Sequence, residues 1–182
     1  MTEAERQTRL DNLLDSHEIR ASIERMCRGS DRCDKELFLT AFHPGATVCV
    51  GPFVGTPSEL YDWSFALQSA GHRSTLHGLL QTHCDISGDV AHAETYFYFV
   101  GCGDEKNVMA GGRYVDRFER RDGKWGLVMR NNFIEWSGAP PAFPSDLGVI
   151  HDLEANGLPA RDRSDPSYVR PLVNRRARNI PG

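Results

Sequence analysis

The chain has 182 residues, 40% of them hydrophobic and 25% charged, the composition of one globular domain with a real apolar core. A formal net charge of -4 argues against nucleic-acid binding, which needs a basic surplus, and no apolar run reaches the length of a membrane span. Five scattered cysteines without a Cys-x-x-Cys pair read as reduced thiols, and the polar, acidic start is no signal peptide, so a cytoplasmic location is expected.

Residues 1–14 are polar apart from Leu10, Leu13 and Leu14 and are expected to form an extension, either a short docking helix or a frayed end. Ser16 or Asp15 then caps a helix over about 17–30, with Ile19, Ile23 and Met26 or Cys27 as its buried stripe and Gly29 as its stop. Asp34 caps a second, short helix carrying Leu37, Phe38, Ala41 and Phe42, which His43-Pro44-Gly45 ends. Residues 46–50 read as a strand and 51–55 as a turn or short hairpin piece. Thr56-Pro57-Ser58-Glu59 is a capping box with proline at the first helical position. The helix it opens is expected to run to about residue 70 and to bury Leu60, Trp63, Phe65 or Ala66, and Leu67.

The pattern then changes from helical period to alternation. Strands are expected over 74–86, 90–102, 107–120 and 124–136, with Asp122-Gly123 at the core of the last turn. Long strands joined by short links predict an antiparallel meander. Residues 138–182, rich in proline and holding Arg161, Arg163, Arg170, Arg175, Arg176 and Arg178, read as an extended tail, solvated or wrapped on the domain or a neighbour. The fold class is therefore α+β, with three helices on a strongly curved antiparallel sheet and a cone-shaped pocket between them.

Within that frame a few side chains carry chemistry. Asp31 and Asp34 stand at the seam of the first two helices; capping accounts for Asp34 and leaves Asp31 without a local job. His77 lies on a strand; a free histidine side chain changes charge near neutral pH, and with a carboxylate on one of its nitrogens it could act as a general base. The residues alone favour a half-buried strand histidine bonded to a backbone carbonyl. His72 lies in a loop, His43 in a turn, His92 on a strand with its face unassigned, and His83 about 20 Å along the strand from His77. Arg130 is a charge inside an apolar strand. It needs an acidic partner, Asp31 being one option, or a ligand, or else it points outward in a surface ladder. Asn132 shares its parity. Tyr114 is either a donor to substrate or core, and Trp63, Phe53 and Tyr96 are candidates for an apolar lining. No nucleotide-binding glycine motif and no metal-ligand spacing occurs, so neither cofactor nor metal is expected.

The order of elements, Ser30-Asp31-Arg32-Cys33-Asp34 with Phe42-His43-Pro44-Gly45-Ala46, and Gly112-Arg113-Tyr114 leading to Phe118-Glu119-Arg120-Arg121-Asp122-Gly123-Lys124-Trp125, resemble the SnoaL-like branch of the nuclear transport factor 2-like superfamily. The resemblance covers residues 15–137, the α+β barrel domain, and leaves the tail outside. It implies the cystatin-like cone and, from the dehydratase and dehydrochlorinase group, a catalytic dyad of Asp31 and His77. An arginine at the place of Arg130 is implied by the dehydrochlorinases, whose first helix also carries a lysine where this chain has Met26. The implied function is a cofactor-independent lyase that dehydrates or cleaves a hydrophobic hydroxylated molecule such as an aromatic diol or steroid. Double-bond isomerisation would use the same parts. The superfamily also holds non-catalytic subunits of ring-hydroxylating dioxygenases and small-molecule binders, which stand as the alternatives. A homo-oligomer, dimer or trimer, is implied as well.

Overall fold

Thr2 opens the first helix. Its hydroxyl accepts the Glu5 amide and the Glu5 carboxylate accepts the Thr2 amide, closing a capping box. Helix α1 then runs unbroken over Glu3–Asp31, so the separate extension expected over 1–14 is the exposed first half of one long helix. Gly29 does not stop it: a Cβ there would meet the Phe38 backbone nitrogen at 2.5 Å, so this glycine lets the next helix approach. The reversal comes at Cys33, with φ +51, after which Asp34 accepts the Leu37 amide and caps helix α2, Lys35–Leu39. The computed structural model describes residues 1–141 and 159–174.

Strand β1, Phe42–Val50, starts earlier than expected because Pro44 and Gly45 sit in a bulge, where Pro44 has no ladder amide to lose and Gly45 takes φ +82. After β2, Phe53–Gly55, the Thr56–Glu59 capping box opens α3, Pro57–Gly71. Its buried face is Pro57, Leu60 and Tyr61, and Trp63, Phe65 and Leu67 stay partly exposed, contrary to expectation. Tyr61 takes the inward position between Phe38 and Phe65, which rotates the stripe by one residue.

Strands β3, Ser74–Ser87, β4, Val90–Cys102, β5, Asn107–Arg121, and β6, Lys124–Gly138, form the antiparallel meander. The sheet order is β2-β1-β6-β5-β4-β3, with β1 parallel to β6, so the sheet is mixed and not wholly antiparallel. It is curled but has two edges, β2 and β3, so the domain is not a closed barrel. Ile19, Ile23, Met26 and Cys27 of α1 pack with Ala91, Ala93 and Phe97 of β4, Phe118 of β5 and Leu127 of β6. Asp15 fixes the helix across this core, accepting two bonds from Arg120, at 2.9 and 3.0 Å, and one from the Trp125 indole at 2.9 Å.

Residues 159–174 are not a solvated tail. Buried Asp165 accepts the Ala160 and Ser167 amides, Tyr168 donates its hydroxyl to Asp34 at 3.1 Å, and Arg28 lies over the Tyr168 ring. Arg163 lies beside Asp34 and Glu36, and Arg170 bonds carbonyls of its own segment. Arg175, Arg176 and Arg178 lie outside the described residues. Among the described residues no helix is long and apolar enough to cross a membrane.

Candidate active site

Asp31 is the last residue of α1 and is aimed at β3 by the tight turn that follows. One of its oxygens accepts the His77 main-chain amide at 2.9 Å, and the other lies 2.6 Å from His77 Nδ1. An ionised carboxylate only accepts, so Nδ1 carries the proton and Nε2 keeps its lone pair. Both side chains are nearly enclosed, at 12% and 13% exposure. The Phe99 ring lies 4.9 Å from the imidazole, centre to centre.

His77 forms part of the wall of a cavity of about 240 Å³ between α3 and the concave sheet face. Much of the lining is apolar, including Met26, Leu60, Trp63, Leu67, Phe97 and Ile134. The polar groups reaching it are Ser30, Ser64, Gln68, His77, Tyr114, Arg130 and Asn132. Thus His77, Arg130, Tyr114, Asn132 and Trp63 meet at one cavity.

Arg130 is not the partner of Asp31. It is 2% exposed, and its Nε and Nη2 donate to the two oxygens of Asp116 at 2.7 and 2.6 Å. Its Nη1 points at the Met26 sulfur, and the guanidinium lies 4.0 Å over the Tyr114 ring. Burial pushes the Asp116 carboxyl up, and Arg130 opposes that shift. Burial likewise works against the charge of Arg130, but the Asp116 carboxylate outweighs it and holds the guanidinium above its ordinary value. Two short bidentate bonds favour the ionic form of both partners. Asp116 escaped the sequence reading, although it stands directly opposite Arg130 in the β5–β6 ladder and shares the inward parity of Tyr114 and Phe118.

Tyr114 stacks on Phe97 at 4.2 Å and presents its hydroxyl to Cys27. Burial pushes this phenol well above its usual range and the Cys27 thiol up to about 12, so both stay protonated at neutral pH. Asn132, facing Tyr114 across the ladder, has a buried carboxamide oxygen without a partner among the described residues. Phe53 supports the site from behind, stacked on Trp63 at 5.3 Å, and does not itself line the cavity. Tyr96 belongs elsewhere. It falls on the outer sheet face, where the Arg113 guanidinium covers it, because the inward positions of β4 are 91, 93, 95 and 97.

His43, His72, His83 and His92 are not among the cavity-lining residues. His83 is exposed beside Asp85 and His92 is exposed on β4; His43 donates its Nε2–H to the Glu119 carbonyl, and His72 closes α3 with its ring against Phe99. Among the described residues no three His, Cys, Asp or Glu side chains converge as a metal-ligand set.

Comparison with known proteins now bears on this geometry. The family model described as the SnoaL-like domain matches residues 11–131. The chain belongs to the SnoaL-like domain family. Among solved structures, the hexachlorocyclohexane dehydrochlorinase LinA-type3 from Novosphingobium barchaimii is similar, with 18% identity and a TM-score of 0.65 over 71% of this chain and 92% of that one. A candidate scytalone dehydratase from Novosphingobium aromaticivorans is also similar, at 18% identity and a TM-score of 0.62 over 74% and 95%. A protein of unknown function with a cystatin-like fold from Nostoc punctiforme matches at 21% identity, with a TM-score of 0.55 over 67% and 92%. At these identities the SnoaL-like neighbours establish the fold alone. No curated protein matches the sequence.

Proposed function

We propose that this SnoaL-like protein is a cofactor-independent lyase that eliminates water from a small, largely apolar hydroxylated molecule. The observation that carries the reading is the enclosed Asp31–His77 pair, with His77 in the wall of a largely apolar cavity. In this mechanism Nε2 takes a proton from carbon, and the imidazolium that forms is held by the Asp31 carboxylate. The electron pair of the broken C–H bond ends in the new double bond, the C–O bond breaks, and the imidazolium returns its proton to the departing hydroxide. Arg130, which lines the cavity, supplies fixed positive charge for oxygen that becomes negative on the way. The Asn132 oxygen is suited to hold a substrate hydroxyl. Met26, where related dehydrochlorinases are expected to carry a lysine, leaves no ammonium for a departing chloride, which favours dehydration.

A cavity of about 240 Å³ lies below the range of roughly 300–1,000 Å³ usual for drug-sized ligands, so a one- or two-ring aromatic fits better than a steroid. A passive carrier of the same fold would have no use for a carboxylate-oriented imidazole. The test is incubation of protein dialysed against a chelator with a panel of hydroxylated aromatics, reading loss of one water by mass spectrometry. His77→Ala should lower turnover by about 10²–10⁴-fold with the circular dichroism unchanged. Full activity in that variant overturns the mechanism.

A further inference from the structure

Gln68 lines the cavity from α3, and its side chain is held from behind by a residue outside the matched family region. Arg161 Nη2 donates to Gln68 Oε1 at 3.1 Å, and Nη1 reaches the Gln68 and His72 carbonyls at 3.3 and 3.5 Å. A guanidinium has only donors, so it can meet only the oxygen of the carboxamide. This contact commits the Gln68 oxygen to Arg161, and among the described residues the NH₂ group of this cavity-lining side chain makes no hydrogen bond. The same arginine satisfies the carbonyls at the end of α3, where a cation is favoured by the helix dipole. Residues 159–174 are themselves fastened by Asp165, Tyr168 and Arg163, so Arg161 is delivered from a packed segment.

We infer that Gln68 is a specificity residue that donates to an acceptor oxygen of the substrate, and that Arg161 is its positioning residue. The acceptor class that fits the proposed elimination, on which this inference rests, is a carbonyl. A C–H beside a carbonyl is acidic enough for an imidazole, and the electron pair left by that proton moves onto the carbonyl oxygen as an enolate. An amide N–H placed there binds the ground-state oxygen and binds the enolate more strongly. The α-proton goes to His77, the enolate collapses to the conjugated double bond, and hydroxide leaves with the proton from His77.

The test needs no turnover, which separates it from the mechanism itself. Acetophenone and α-methylstyrene have the same shape, and only the first carries an acceptor oxygen. Their dissociation constants are measured by ligand-observed NMR with wild type, Gln68→Leu, Arg161→Met, Arg161→Lys and Gln68→Leu/Arg161→Met. Gln68→Leu should weaken acetophenone by about 5–10-fold and leave α-methylstyrene unchanged or tighter. Arg161→Met, which removes nothing from the cavity wall, should give a similar loss; Arg161→Lys should restore part of it, and the double variant should be no worse than Gln68→Leu. Arg163→Met loosens the same segment without touching Gln68 and should leave the ratio of the two ligands as in wild type. An acetophenone to α-methylstyrene ratio that is equal in wild type and Gln68→Leu, or failure of wild type to bind acetophenone, overturns the inference. A ratio that moves with Arg163→Met as much as with Arg161→Met assigns the effect to the segment and overturns the role of Arg161.

Discussion

Replacing Asp116 by alanine tests the reading of the buried charge behind the cavity. The side chains of Arg130 and Asp116 are 2% and 0% exposed, and the carboxylate supplies both oxygen acceptors of the guanidinium, at 2.7 and 2.6 Å. Without it Arg130 keeps only the Met26 sulfur and the Tyr114 face, neither of which replaces an anion. Removing one partner of such a pair costs about 3–5 kcal/mol, because the remaining charge stays buried and uncompensated. That is about a fifth or more of the roughly 5–15 kcal/mol by which a domain is stable. At about 2–4 °C per kcal/mol for a chain of this size, the midpoint of thermal unfolding should fall by on the order of 6–20 °C. Urea unfolding followed at 222 nm measures the free energy directly. The double variant Asp116→Leu/Arg130→Met removes both charges and should recover most of the loss. A loss below about 1 kcal/mol for Asp116→Ala, or a double variant as unstable as the single, refutes the claim that the pair is buried and ionic.

Two further outcomes concern pH. Burial alone would lift the Asp165 carboxyl, but hydrogen bonds from Ser167 and Ala160, with Arg32 nearby, outweigh it and hold it below the ordinary value. A depressed carboxyl contributes its stabilisation above the unfolded value of about 4 and loses it as pH falls through the folded value. Proteolytic protection of residues 159–174 should therefore vanish in acid below roughly pH 4, and Asp165→Asn should show weak protection already at pH 7. Cys27 runs the other way, since burial raises its thiol to about 12. The folded chain keeps that proton where the unfolded chain has lost it, so stability should decline as pH rises from about 8.5 towards 12, and Cys27→Ala should flatten that decline in urea midpoints measured between pH 7 and 10.5. Iodoacetamide at pH 8 should leave Cys27 unmodified in the native protein.

What the sequence made legible was local signal with a fixed offset. Thr56 and Glu59 declared α3, Asp34 declared α2, and Asp122-Gly123 turned β5 into β6. The same kind of signal, Thr2 with Glu5, opens α1, but the buried apolar stripe that makes a helix legible begins only at Ile19. Asp31 and His77 are 46 positions apart and no periodicity links them; the family resemblance brought them together as a candidate pair, and the turn at Cys33 supplies the geometry. Asp116 and Tyr96 were matters of parity, which one bulge or one miscounted face reverses. Gln68 and Arg161 could not be read at all, since their contact spans 93 positions between a helix end and an irregular segment.

Asp31 also does something unrelated to proton transfer. β3 is an outer strand of the sheet, the place where a passing extended chain can add itself by main-chain bonding. The Asp31 carboxylate takes the His77 amide that such an intruder would need, and the end of α1 stands in its way. Guarding the rim and aiming the imidazole thus depend on the same two oxygens. Loss of the carboxylate would leave that edge amide open as well as removing the partner of the imidazole, so an acceptor at this position has a use independent of the proposed reaction.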